Sequence, residues 1–569
     1  MRVNISFYGS WSAVVGGHQA EMRKGYDERF TILSGIRMSK DTLSGLPRER
    51  EEGNVEYKLK ITQPTKDRLE ELASQIRYRL AEKGGEAFYI IGVSDSGEPL
   101  GIRDEELELS LENLKKAADL AGARISRVRE AKGKGGRIVE LLLRRCRDQL
   151  PIQISVVTAG QADHGKTTTV GVLVGGELDD GDGLVMGKIA RYKHEVVMRR
   201  TSSVAERVMG FDEEGTVVNY LLPSPLDEAE VYLNSSKLVS FVDIGGHERY
   251  LRTAVRGLLS YNPDYVMLVV AGNAGVSTMT KEHLGIALSF KIPIFVVVTK
   301  TDLAPKEVFS SVFEDLMALL KSPGVNKIPL MVKDLDDVAI SARNIGSGRV
   351  APIFVASNRS GEGLYLLRRF LNLLPPRLKW DAELTKPFIL YIDDKFNVPG
   401  VGVVVAGLVL QGWIRTNDRV RIGPFGDGTF RETRIKSIHA KRGVYVEKAQ
   451  AGRSVTFAIS DVSYEEVEKG MVLVGDGLPA KAARGFEAEV FILHHPTTIR
   501  PGYEAIFHIH SIKEACRLVW SSKDPLRTGD KAMIRAETVF SPIYAREGDQ
   551  FLFREGRARG MGVITKVFY

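Results

Sequence analysis

The sequence predicts a multi-domain protein: a small α/β domain over residues 1–150, a phosphate-loop α/β domain over 151–378, and two β-barrels over 384–478 and 479–569. Three observations predict it. Short β-rich runs alternate with helical patterns between Ile152 and Leu374, the mark of a mostly parallel sheet with helices on both faces. Beyond Pro375-Pro376 the pattern changes to short strand-like runs broken by glycine, proline and asparagine turns, which suits two barrels of roughly 90 residues each. A chain of 569 residues is also too long to fold around one core.

In the first domain, Thr65–Leu80 carries apolar residues at helical spacing and runs into Gly84-Gly85. Ala87–Val93 reads as a strand, Asp95-Ser96-Gly97 as a turn and Pro99–Ile102 as the return. Leu109–Ala121 is a second helix ended by Gly122, Lys132–Gly136 a polar turn and Ile138–Leu143 a further strand. In the second domain the strands are Ile152–Val157, Val239–Ile244, Tyr265–Ala271, Ile292–Thr299 and Ile353–Ala356. Helices are expected over Thr167–Val174, Glu282–Phe290 and Leu364–Leu374. Gly475–Ala483 is the expected junction between the barrels.

The chemistry is densest at Gly160-Gln161-Ala162-Asp163-His164-Gly165-Lys166-Thr167-Thr168, which follows the first of those strands and opens a helix. Glycine, four residues, then Gly-Lys-Thr is the spacing of a phosphate loop. Its glycines let backbone N–H groups converge on phosphate oxygens, and the helix start adds positive character. Lys166 is expected at the β and γ phosphates and the Thr167 hydroxyl on Mg2+. Asp243-Ile244-Gly245-Gly246 ends a later strand, where Asp243 can hold Mg2+ through water and the Gly246 N–H can touch the γ phosphate. Thr299-Lys300-Thr301-Asp302 follows a buried strand, and the Asp302 carboxylate can accept from both guanine donors, a pair that adenine lacks. Lys300 would lie along the base, and Ser357-Asn358 would support the guanine oxygen. These residues predict a GTP/GDP site.

Composition narrows the rest. A net charge of +7 permits contact with nucleic acid without requiring it. Two distant cysteines, Cys146 and Cys516, give no disulfide framework. Apolar runs are too short to span a bilayer and no signal-peptide pattern opens the chain, so a soluble, cytoplasmic protein is expected, with no membrane partner and a monomer as default. His508 and His510 would share one face of a strand, near His494-His495. Glu56 and Lys58, with Glu51 and Glu52 nearby, faintly resemble an acidic nuclease cluster, but no complete metal set is visible, so the first domain reads as structural or partner-contacting.

The wording Gly-x-x-Asp-His-Gly-Lys-Thr-Thr with Asp-x-x-Gly-His resembles the translational GTPases of the elongation factor Tu and elongation factor 1-alpha group. Within that group the chain resembles the GTP-binding protein 1 and 2 family. The resemblance is carried by Asn54–Lys60, Gly176–Asp179, Arg200–Ser203, Thr280–Leu284, Lys436–His439, His495–Thr498 and Phe553–Gly556. It implies a GTPase that hydrolyses GTP with Mg2+, with His247, Asp163 and Gly246 as its catalytic set and His247 positioning the attacking water. It also implies a first-switch metal ligand at Ser203 or Thr201. Three positions depart from the group: Ala162 and Ser202 replace an apolar gate around the histidine, and Thr299 stands where asparagine is usual. The implied partners are the ribosome and aminoacyl-tRNA, or RNA-decay and ribosome-rescue factors, with Lys441-Arg442, Arg554, Arg557 and Arg559 supplying charge for RNA.

Overall fold

The computed structural model describes residues 46–49, 53–62, 64–82, 84–146, 150–189, 205–244, 262–441, 443–555 and 558–569. The first domain is a four-stranded sheet of order β1-β2-β4-β3, built from β1 (Val55–Lys58), β2 (Glu86–Ile91), β3 (Ala123–Gly133) and β4 (Gly136–Arg145). Two helices, α1 (Lys66–Glu82) and α2 (Asp104–Ala121), cover one face. Helix α2 starts on three acidic residues, Asp104, Glu105 and Glu106, which suit the positive end of the helix dipole. It stops where the Gly122 N–H bonds back to Ala118 and Asp119. The expected polar turn at 132–136 shrinks to two residues, because β3 and β4 pair through to Gly133 and Gly136. The return at Pro99–Ile102 forms only two isolated bridges, Val93 to Pro99 and Ile102 to Arg137.

Strand β2 is buried along its whole length, and its alternation explains why. Ala87, Tyr89 and Ile91 face α1 and α2. Phe88 points the other way, with Val128 and Leu142, into the core of the second domain.

That second domain has a seven-stranded sheet of order β10-β11-β9-β8-β5-β7-β6. Its strands are β5 (Ile152–Ala159), β6 (Ala205–Phe211), β7 (Lys237–Asp243), β8 (Tyr265–Ala271), β9 (Ile294–Thr299), β10 (Ile328–Met331) and β11 (Val350–Val355). All pairs are parallel except β6 with β7. Along β8, Tyr265, Met267 and Val269 belong to one apolar layer and Val266, Leu268 and Val270 to the other. A strand buried on both sides reads as a continuous apolar run for that reason. The first layer packs under α3 (Lys166–Gly175), α8 (Leu335–Asn344) and α9 (Leu364–Leu373). The second packs under α6 (Thr278–Ser289) and α7 (Lys306–Lys321); two short helices, α4 (Leu184–Ile189) and α5 (Glu228–Leu233), also belong to the domain.

Both C-terminal units are closed six-strand barrels. In the first, β12 (Ile389–Tyr391), β21 (Val472–Val474), β16 (Arg419–Gly423), β17 (Arg431–Lys441), β20 (Ser454–Ile459) and β14 (Gly402–Gln411) close into a ring, because β12 pairs with both β21 and β14. Strand β13 (Asp394–Val398) extends it, β18 (Val444–Tyr445) pairs with β17, and β15 (Trp413–Arg415) pairs with β19 (Lys448–Gln450) as a separate ribbon. The second ring runs β22 (Gly485–His494), β25 (Lys531–Thr538), β24 (Ile512–Ser521), β23 (Glu504–Ile509), β26 (Gln550–Glu555) and β27 (Ala558–Phe568). His508 lies in β23, but His510 lies past its end with φ 49°, stacked on Tyr391 and 3.1 Å from Asp549, so the two histidines do not share a strand face.

Each added domain is tied to the central one by ion pairs, fully buried at the first domain and half-buried at the second barrel. Between the first domain and the second, the Glu86 carboxylate accepts from Arg144 at 2.9 Å and from Lys237 at 2.8 and 3.0 Å. All three side chains are fully buried, and Arg144 and Lys237 also donate to carbonyls of Asp212, Asn372 and Leu374. A second link runs from Arg129 and Glu140 to Asp336 and Arg343 on α8. The first barrel docks through an ion pair of Lys441 with Glu206 on β6, beside Val208, Val231 and Leu238. The second docks on α6 through Arg559 and Glu282 at 2.6 Å, with Leu552 in the shared apolar layer. Lys441 and Arg559, read above as charge for RNA, therefore hold domains together; Arg442 and Arg557 lie outside the described residues. Glu56 is likewise an ion-pair centre, held by Arg79, Lys58 and Gln75, while Glu51 and Glu52 lie outside the described residues.

Candidate functional site

Five segments end their strands on one edge of the central sheet: the loop after β5, Asp243 on β7, Ala271 on β8, Thr299 on β9 and Ser357 after β11. Carboxyl ends of parallel strands leave such a crevice where neighbours diverge, here on either side of β5.

The loop conformation is fixed by close packing. Gly160 has φ 131°, and a Cβ there would sit 2.2 Å from the Val269 carbonyl, so only glycine fits. Its N–H donates to Nδ1 of His283 on α6 at 3.0 Å. Asp163 (φ 62°) is exposed, and Gly165 leads into α3 with Lys166 as its first residue and a half-buried Thr168 in its first turn. The Lys166 ammonium is buried and donates to the Gln161 carbonyl at 2.8 Å. Burial pulls its pKa down to about 8, against the raising effect of Asp243 and Asp163. Such an ammonium gains most from a phosphate brought beside it.

Asp243 is buried and gathered between two hydroxyls. Thr158 donates to one oxygen at 2.6 Å and Thr167 to the other at 2.5 Å. A hydroxyl beside a carboxylate is the hard oxygen set that suits Mg2+.

The base-reading residues adjoin the phosphate loop directly. The Thr299 hydroxyl donates to the His164 carbonyl at 2.6 Å, and Asn358 Nδ2 donates to Thr169 Oγ1 on α3 at 2.9 Å. Asn358 Oδ1 is buried without a hydrogen-bond donor among the described residues. Ser357 donates to Asp302 Oδ1 at 2.8 Å, which orients the exposed carboxylate after the turn at Lys300 (φ 56°). Gly246, His247, Thr201, Ser203 and Ser202 lie outside the described residues.

Three participants escaped the sequence reading of roles. Thr158 is the one hydroxyl at the end of an apolar strand, a signal visible in Val156-Val157-Thr158-Ala159. Thr169 gave no signal beyond following the loop. His283 sits within the Thr280–Leu284 block, and nothing local shows that it reaches Gly160 from 123 residues away.

Burial pushes the pKa of His283 down to about 3 and that of His164 to about 4, with the Lys166 charge adding to both. Both rings are neutral at pH 7, as acceptors for the Gly160 and Ala271 N–H groups. The sign of the pH effect follows. Between pH 6.5 and about 3 the unfolded chain takes up protons that folded His283 refuses, so stability falls as the solution is acidified through that window. His283→Asn keeps an acceptor but cannot be protonated there. Its unfolding midpoint should fall less steeply with pH than that of the unaltered chain, and parallel curves would show that His283 does not titrate on unfolding.

Known proteins share this architecture. Three family profiles match in sequence: elongation factor Tu GTP binding domain over residues 152–376, elongation factor Tu domain 2 over 402–474 and elongation factor Tu C-terminal domain over 479–568. GTP-binding protein 1 of Xenopus laevis is 40% identical over 535 residues, which cover 92% of this chain and 81% of that one. GTP-binding protein 2 of Mus musculus is 39% identical over 533 residues, covering 92% and 88%. Among solved structures, translation elongation factor SelB from Methanococcus maripaludis in complex with the GTP analogue GppNHp shares the fold, with a TM-score of 0.51 at 19% identity over 73% of this chain and 80% of that one.

Proposed function

The chain belongs to the elongation factor Tu family of GTPases, and on that premise we propose that it is a GTP–Mg2+ switch that carries aminoacyl-tRNA to the ribosome. The observation that supports this reading most is the single crevice in which phosphate-loop and base-reading residues bond to one another, Thr299 to His164 and Asn358 to Thr169. Lys166 and the loop N–H groups would hold the phosphates, Thr167 and Asp243 would hold Mg2+, and Asp302 would read guanine. The metal would neutralise charge on the phosphates. Thr201 or Ser203 would complete its shell, and His247 would place the attacking water, assisted by Gly246 and Asp163.

The barrel contacts supply a route from nucleotide to partner. The first barrel is paired to Glu206, three residues after the first-switch candidate Ser203, and the second is paired to Glu282, next to the histidine that holds Gly160. A change at either end of the crevice is thereby passed to a barrel. The sequence also leaves open a nucleotide-gated scaffold that binds proteins through residues 1–150; the buried Glu86 group, which fastens that domain to the GTPase domain, gives a detachable module little support.

The test is protection of the aminoacyl ester from hydrolysis by the full chain with a non-hydrolysable GTP analogue. Protection that GDP does not give is the expected result. Lys166→Ala, which removes an ammonium worth about 1.5–3 kcal/mol per charged bond, should lower GTP affinity by roughly tenfold to a hundredfold and abolish protection. Absence of protection, with nucleotide-dependent capture of stalled ribosomes, would replace the carrier reading with a ribosome-rescue or RNA-decay role.

A further inference from the structure

Four parts of the chain meet around a cavity of about 270 Å³. Arg145 comes from the end of β4, Gln153 from β5, Trp380 from the linker after Pro376, and Gln450, Gly452 and Arg453 from the first barrel. Its two guanidiniums are incompletely matched. Half-buried Arg145 has no ion pair or side-chain hydrogen bond among the described residues. Arg453 donates to the Pro151 carbonyl at 2.6 Å; burial holds its pKa below the ordinary value, Tyr232 and Asp381 oppose this, and the like charge of Arg145 adds to it. Glu82, also on the lining, is paired to Lys379 at 3.8 Å, which leaves Asp381 against the two guanidiniums. The net positive charge in a half-enclosed space favours an anion between Arg145 and Arg453.

The cavity has an aromatic wall. Gly452 (φ 82°) admits the Trp380 ring, since a Cβ there would lie 2.5 Å from the indole Cγ. The same character continues outward along the β15–β19 ribbon. Trp413 pairs with Gln450 and Arg415 with Lys448. Directly opposed residues, and residues two apart on one strand, share a face. Ile414 and Ala449, between them, are buried on the other face. Trp413 is 44% exposed, with Lys448 Nζ 4.6 Å and Arg415 Cζ 5.2 Å from its ring centroid.

We propose that this track binds the phosphorylated end of a single-stranded nucleic acid. The terminal nucleotide enters the cavity beside Trp380 with its phosphate on Arg145 and Arg453, and a following base stacks on Trp413. The cavity lies just under the roughly 300 Å³ of ordinary ligand pockets, which suits one nucleotide. Cations that follow the backbone and rings that take base faces hold a strand without reading its sequence. No residue of the GTP crevice takes part, so the site does not rest on the carrier reading.

The test is fluorescence anisotropy of the full chain with octa-adenylate RNA bearing a 5′-phosphate, a 3′-phosphate or neither, and with AMP as competitor. One phosphorylated RNA should bind more tightly than the unphosphorylated one. Trp413→Ala and Arg145→Gln should each weaken it by about fivefold or more, the scale of one stacked base or one phosphate contact. GTP affinity should be unchanged in both variants, and Trp413, being exposed, can be removed without loss of fold. Equal binding of all three RNAs, or wild-type binding by Trp413→Ala, would overturn the proposal. AMP competing as well as the strand, with Trp413 dispensable, would also overturn it and leave a mononucleotide pocket instead.

Discussion

Asp302→Asn is expected to bind GTP at least about a hundredfold more weakly, because two charge-assisted bonds at about 1.5–3 kcal/mol each are lost together. The geometry makes the direction definite. Ser357 Oγ donates to Asp302 Oδ1 at 2.8 Å. An asparagine in that place keeps its oxygen on Ser357 and turns its NH2 group outward. The NH2 group then faces the two guanine donors, and donor meets donor. Xanthine carries an oxygen where guanine carries its exocyclic amine, so the variant should retain xanthosine triphosphate better than GTP. Calorimetry with both nucleotides reads this directly. An unchanged preference for GTP would remove Asp302 from the base-reading role and with it the assignment of the crevice.

The second large effect is on stability. Glu86→Ala should cost about 3–5 kcal/mol, the usual penalty for breaking a buried ion pair by deleting one partner. The carboxylate is the shared acceptor for Arg144 and Lys237, all three fully buried. Its loss leaves two cations facing each other and a few carbonyls. Lys237 can relieve this by giving up its proton, since burial already draws its pKa down to about 8 despite the carboxylate. Arg144 has no such escape. Urea unfolding of the variant against the unaltered chain gives the comparison, and a midpoint within error of the original would mean that the carbonyls alone satisfy both cations. The unaltered chain carries a further signature. Between about pH 8 and 10.5 the unfolded chain holds a proton on Lys237 that the folded chain does not, so stability rises with pH in that window. Lys237→Met should lose that rise.

The parts of the molecule that the sequence made legible are those whose physics is local. Gly160 to Thr168 announces a loop because glycine spacing fixes how N–H groups can converge, and that loop stands where it was expected, at the head of β5. Tyr265–Ala271 was readable to the residue, because a strand buried on both faces admits only apolar side chains. Strand β3 was not, since Arg124, Arg127, Arg129 and Glu130 alternate with few apolar residues and its inward contacts are partly ionic. Charges proved least legible. Nothing local in the sequence marks Glu86, Arg144 and Lys237 as partners; 58 and 151 positions separate them, and only the fold brings them together. Lys441 and Arg559 read as a surface for RNA for the same reason, whereas Arg145, Arg415 and Lys448 form no ion pair among the described residues.

The shared layer of Phe88, Val128 and Leu142 with Leu367, Phe370 and Leu371 has a practical corollary. A recombinant GTPase trimmed to start at Pro151 would present the flanks of α8 and α9 bare to water, together with an orphaned Lys237. Such a fragment would be sticky and prone to precipitate, whatever its nucleotide crevice retains. The first 150 residues act on the enzyme as a wall acts on a roof.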